Sequence, residues 1–196
     1  MANRHAVTAS DILSRDEWGK IRVEERRRIS ALKRNRRMEV GPYITFYFEN
    51  FATMRHQIQE MCWIEKGGAE QIPDELAAYN PLIPQGQELV ATFMIEIDDP
   101  DRRKRILDGL GGVEGTAFIR VGDETIMAKP EEDQDRTTAT GKASSVQFVH
   151  FLFSVAQVEK FRAGGASVVL GLNHQNYGHM AVLPEAVRAE LARDFD

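Results

Sequence analysis

Five side chains in this sequence could gather a divalent metal ion: His174, His179, His150, Glu96 and Glu60. The stretch Asn173-His174-Gln175-Asn176-Tyr177-Gly178-His179 reads as the tip of a β-hairpin. With a four-residue turn over 175–178, His174 and His179 would face each other with Cβ atoms about 5 Å apart. Two neutral imidazoles at that separation can share one ion, and a carboxylate completes a two-histidine, one-carboxylate set. Glu96, Glu60 or Glu49 could supply it. His150 lies inside the apolar run Val146–Phe153, where a buried imidazole must hydrogen-bond, titrate or bind something. His56 and Glu60 stand four apart on a helical pattern, so they are neighbours on one face. Iron, zinc or manganese are the ions such a donor set implies. Satisfied core or surface histidines would account for the same pattern.

Other chemistries lack their residues. Cys62 is the only cysteine, which excludes an internal disulfide, a CxxC motif and an iron–sulfur cluster held by this chain's own thiolates. It lies on a helical stretch beside apolar Met61 and Trp63 and reads as packing rather than as a nucleophile. Nothing in Glu131–Ser145 matches a phosphate-binding loop. The polar centre Thr137-Thr138-Ala139-Thr140-Gly141 reads as a mobile connection, with a lid over the sheet as the alternative.

Positioning these groups requires an organised sheet, and the chain writes one pattern twice. Val90–Ile97 is followed by the charged helical stretch Asp99–Leu110, Gly111-Gly112, a strand ending at Val121, a Gly122-Asp123 turn and a return strand to Pro130. Val146–Phe153 is followed in the same way by Val155–Arg162, Gly164-Gly165, Val168–Leu172, a turn near 176–178 and Met180–Leu183 before Pro184. The offset drifts from about 55 to 53 to 54 residues, an internal repeat of pattern and not of identity. The expected fold is therefore α+β: an antiparallel-rich sheet from two βαββ repeats over 85–196, covered by helices. Residues 1–84 form a helical N-terminal extension with one strand. Ser14 and Glu17 have capping-box spacing ahead of a long helix ending by Arg37. Tyr43–Phe48 reads as the strand, and Asn50 caps a helix with the stripe Phe51, Met54, Ile58 and Met61. Pro73–Tyr79 is a short helix, Asn80–Pro84 an ordered join, and Pro184–Phe195 a closing amphipathic helix.

Charge divides the chain unevenly. Residues 1–37 hold eleven Lys/Arg and five Asp/Glu, whereas the remainder holds fourteen and twenty-five. A basic arm on an acidic body can dock on a partner subunit, a second copy or its own chain. Nucleic acid is disfavoured, because the body repels the polymer and no recognition motif accompanies the arm. No apolar run approaches the roughly 20 residues of a membrane span, and the N-terminus shows no signal-peptide pattern, so a cytoplasmic protein is expected.

Phe48-Glu49-Asn50, Gln57-Ile58-Gln59-Glu60-Met61, Tyr79-Asn80-Pro81-Leu82-Ile83-Pro84, Ile95-Glu96-Ile97 and the His174/Tyr177 pair carry a resemblance over nearly the whole chain. In that order they resemble a bacterial domain family without an assigned function. Its members tend to be encoded beside a rubrerythrin-like diiron protein and an iron–sulfur oxidoreductase of the heterodisulfide-reductase type. The resemblance implies an accessory role in redox or oxidative-stress chemistry, with a redox protein as candidate partner, and it brings no catalytic residues. The paired layout also resembles vicinal-oxygen-chelate enzymes, which bind a metal between two βαβββ modules. Here each copy shows only three strands, and the candidate ligands depart from that family's positions.

Overall fold

Three local signals start the helices that frame the sheet. Ser14 caps α1 (Arg15–Lys33) by accepting from the Glu17 amide, and the Glu17 carboxylate accepts from the Ser14 N–H in return. Asn50 does the same for α2 (Phe51–Glu65), with Thr53 as its reciprocal partner. Asp99 caps α4 (Pro100–Asp108), whose first residue is the proline that tolerates a missing N–H. The other helices are α3 (Ile72–Tyr79), α5 (Val155–Ala163) and α6 (Glu185–Leu191). The computed structural model describes residues 4–131 and 142–196, so the expected mobile centre Thr137–Gly141 lies outside the described residues.

Eight strands form one sheet: β1 (Arg37–Val40), β2 (Ile44–Glu49), β3 (Glu88–Ile95), β4 (Ala117–Val121), β5 (Glu124–Pro130), β6 (Val146–Leu152), β7 (Val168–His174) and β8 (Tyr177–Val182). Their order is β1-β2-β3-β6-β5-β4-β7-β8, and every neighbouring pair is antiparallel. The α+β class is as expected, with helices packed on a sheet that curls almost into a barrel. From β3 onward the elements run strand, helix, strand, strand and then the same again, but β6 lies between β3 and β5. The two stretches interleave in the sheet. They do not form separate modules.

The N-terminal stretch contributes two strands to this sheet where one was expected. Residues 37–40 leave the helix through a short 3-10 turn and pair with β2 in register Arg37↔Tyr47 to Val40↔Ile44. Only four residues long, with alternating burial and charged outer positions, β1 lacks the apolar run by which a strand is read.

Curling brings the ends of the sheet together. The Tyr177 hydroxyl donates to Val40 O at 2.7 Å, tying the start of β8 to the end of β1. Gly41 makes this approach possible: its φ is +73°, and a Cβ there would lie 2.6 Å from the Tyr177 oxygen and from the His179 ring. Inside the curl, alternate residues such as Ala91, Phe93, Ile95, Val149 and Phe151 are buried with Leu107, Phe161 and Leu191 of the plugging helices. Each large side chain there contributes about 1.5–3 kcal/mol of burial. A second apolar cluster lies on the outer face, where Val90 of β3 meets Met54, Ile58, Leu82, Ile83 and Val7 under α2 and α3. α1 then packs on α2, so its far side faces solvent.

Candidate functional site

The five candidate ligands do not converge. The β7–β8 turn has two residues, Gln175 and Asn176, so His174 is paired with Tyr177 and His179 with Leu172. This corrects the expected opposition of the two histidines: shortening the turn moves each imidazole off the other's row. His174 is a local tether. Its Nδ1 accepts from the Asn176 N–H at 3.2 Å, and its Nε2 lies 3.3 Å from Gly111 O, while the Asn176 amide donates to Gly109 O. The hairpin tip thereby binds the carbonyls that follow α4. His179 packs edge-on against Tyr177, with ring centroids 4.5 Å apart.

Glu60 and Glu96 are engaged elsewhere. Glu60 accepts from Trp18 Nε1 at 2.9 Å and from Arg22 Nε and a terminal nitrogen at 2.8 Å each. Burial alone would push its carboxyl up, but the Arg22 and Trp18 hydrogen bonds outweigh it and hold the group below the ordinary range. The pair clamps α1 to α2. Glu96 accepts from Thr45 Oγ1 at 2.7 Å and from the Tyr47 hydroxyl at 2.9 Å on the outer face of β2. Glu49 is buried between the hydroxyls of Thr53 and Thr92. Among the described residues no three His, Cys, Asp or Glu side chains are grouped so as to hold a metal ion.

His150 is the exception in kind. Its Nδ1 lies 2.9 Å from Glu88 Oε2 and its Nε2 2.9 Å from Glu131 Oε2, with a side chain only 16% exposed. A ring flanked by carboxylates at both nitrogens donates from both when charged. Burial works against that charge, but the two carboxylates outweigh it and raise the imidazole above its ordinary range. The arrangement bridges β3, β6 and the end of β5.

The basic arm resolves into two sets. Arg22 is on Glu60, and Arg28 on Glu25 at 2.9 Å. Arg36 is 1% exposed and turns inward. It donates to Phe48 O and Glu49 O at 3.0 Å each, to Glu190 at 3.4 Å and to Asp194. Arg26 and Arg27 of α1 and Arg34 just past its end are exposed, away from the buried Trp18 and Ile29. At about 100° per residue they fall on one stripe with Val23 and Ser30. The stripe borders a shallow hollow, Val23 is 65% exposed, and among the described residues no carboxylate pairs with these three arginines. Guanidinium groups so placed can grip carboxylates in bidentate fashion, with Val23 as an apolar contact between them.

The DUF3501 family profile, described as protein of unknown function, matches residues 6–195. The chain belongs to the DUF3501 family. A crystal structure of a novel protein of unknown function from Burkholderia pseudomallei superposes with a TM-score of 0.90 at 36% identity, covering 97% of this chain and 100% of that one. No curated protein matches. The DUF3501 match spans both the N-terminal strands and the rest of the sheet, in keeping with the single eight-stranded sheet they share. No helix among the described residues is long and apolar enough to cross a membrane.

Sequence reading missed the inward turn of Arg36 and the partners of His150. Arg36 meets Asp194 across 158 positions and His150 meets Glu88 across 62, separations that no local spacing carries. The one available signal was the isolation of His150 within an apolar strand.

Proposed function

We propose that this chain is a non-catalytic docking module that takes an acidic segment of a partner protein on the outer face of α1. The observation that carries the reading is the sorting of the basic arm. Its other arginines each contact a carboxylate, carbonyl or ring of this chain, while Arg26, Arg27 and Arg34 line one solvent-facing stripe around exposed Val23. Three exposed guanidinium groups give a chain of net charge −5 a local positive patch, which attracts an acidic segment. The redox association implied by the family resemblance nominates the rubrerythrin-like and heterodisulfide-reductase-like proteins as partners to try first.

Fluorescence anisotropy tests this with an acidic Glu/Leu helical peptide, a Lys/Leu control and the two purified candidate proteins as probes. Binding of the acidic probes should weaken as salt rises and fall at least about tenfold in Arg26→Glu/Arg27→Glu/Arg34→Glu, with the circular dichroism spectrum unchanged. Equal binding by the charge-reversed protein would refute the docking face. Tighter binding to a single-stranded oligonucleotide of matched charge would transfer the stripe to a phosphate polymer.

A further inference from the structure

A cavity of about 310 Å³ opens between the start of α1 and the end of α2, away from the docking stripe. Its volume lies at the lower end of the range of small-molecule sites, about 300–1,000 Å³. The walls are apolar: Ile12, Leu13, Cys62, Trp63 and Ile72. Gln59, the polar group at the back, is consumed, because its amide bridges the Leu13 N–H at 2.7 Å and the Leu13 carbonyl at 3.1 Å.

The mouth is cationic. Arg15 lies over the Trp63 ring, its guanidinium carbon 4.4 Å from the centroid, and one of its nitrogens donates to Trp63 O at 2.7 Å. That fixes the plane of the guanidinium and leaves other N–H groups of the five for a ligand. Lys66 lines the same mouth from the left-handed position that ends α2, at φ +61°. Neither Arg15 nor Lys66 is ion-paired with a nearby acid among the described residues. Gln71 holds Glu65 at 2.6 Å and Glu75 at 2.7 Å, and neither carboxylate lines the cavity. Burial, with Glu75 and Glu65 adding to it, keeps the Cys62 thiol above its ordinary range, so it serves as wall and not as nucleophile.

We propose that this cavity binds a small amphipathic carboxylate, its hydrocarbon tail among Leu13, Cys62 and Ile72 and its headgroup at Arg15 and Lys66. An apolar pocket excludes a fully hydrated anion, and two cations at its rim disfavour an ammonium headgroup. A carboxylate with a short alkyl or aromatic tail satisfies both ends at once. The inference is independent of the docking face.

Titration with hexanoate, hexanol and hexylamine tests it, read by Trp63 fluorescence and by the rate at which iodoacetamide alkylates Cys62, the only cysteine. A Trp63→Phe control separates the signal from buried Trp18. Hexanoate should saturate both readouts and slow alkylation, hexylamine should not, and Arg15→Gln or Lys66→Gln should each weaken hexanoate about tenfold. Hexanol binding as tightly as hexanoate would overturn the carboxylate class. Absence of saturation by hexanoate up to about 10 mM would overturn the site. The ligand comparison uses the unaltered chain, so it stands even if a variant misfolds.

Discussion

Arg34 and Arg36 are two positions apart, equally basic, and placed by the fold in opposite roles. Replacing each by methionine separates those roles. Arg36→Met deletes the donor to Phe48 O, Glu49 O, Glu190 and Asp194 at a site 1% exposed. It leaves the Asp194 carboxylate, itself 5% exposed, without its cation. Removing one member of a buried ion pair costs about 3–5 kcal/mol, against a total stability of about 5–15 kcal/mol for an ordinary domain. Arg34→Met touches no partner among the described residues and should stay within about 0.5 kcal/mol. Urea unfolding followed by circular dichroism reads both. With a slope of about 2 kcal/mol/M, Arg36→Met should lower the midpoint by about 2 M and Arg34→Met should barely move it. The double variant Arg36→Met/Asp194→Leu should recover much of the loss, because an apolar pair leaves no orphaned charge. Equal destabilisation by both single variants, or a double variant no better than Arg36→Met, would refute the division of the basic arm on which the docking reading rests.

Gly41→Ala should destabilise the protein by about 2–4 kcal/mol, since it adds a side chain at φ +73° and drives Tyr177 from Val40 O. Tyr177→Phe in that background should cost less than it does alone, as a denaturant double-mutant cycle would show; strict additivity would mean that the two do not meet. His150 sets a pH dependence whose sign follows from its raised imidazole. Its contribution is complete below the ordinary value of 6.5, provided Glu88 and Glu131 are ionised, and is lost as pH climbs through the raised folded value. His150→Gln should therefore cost about 2 kcal/mol near pH 6 and distinctly less near pH 9. An unchanged pH profile in thermal unfolding would show that the two carboxylates do not hold the ring charged.

Several features were legible in the sequence because their causes are local. Ser14, Asn50 and Asp99 begin helices since each cap needs only a side-chain oxygen and amides two or three residues away. The run Val90–Ile97 announced a strand, and Ala91, Phe93 and Ile95 line the interior. The basic stripe of α1 was present in composition, but composition could not tell Arg34 from Arg36. The turn of the last hairpin shows how small the margin is: two turn residues instead of four replace His179 by Tyr177 opposite His174.

What the sequence determined by itself was the α+β class, most helix starts, the long strands and the uneven charge, all set by interactions within a few residues. Tertiary structure alone decided that β1 exists, that β6 enters between β3 and β5, and that the sheet curls until Tyr177 reaches Val40. It also decided which charges remain at the surface without an internal carboxylate among the described residues. A guanidinium's role depends on whether a carboxylate from a distant part of the chain arrives beside it. That arrival is settled by packing the whole sheet, and no neighbouring residue records it.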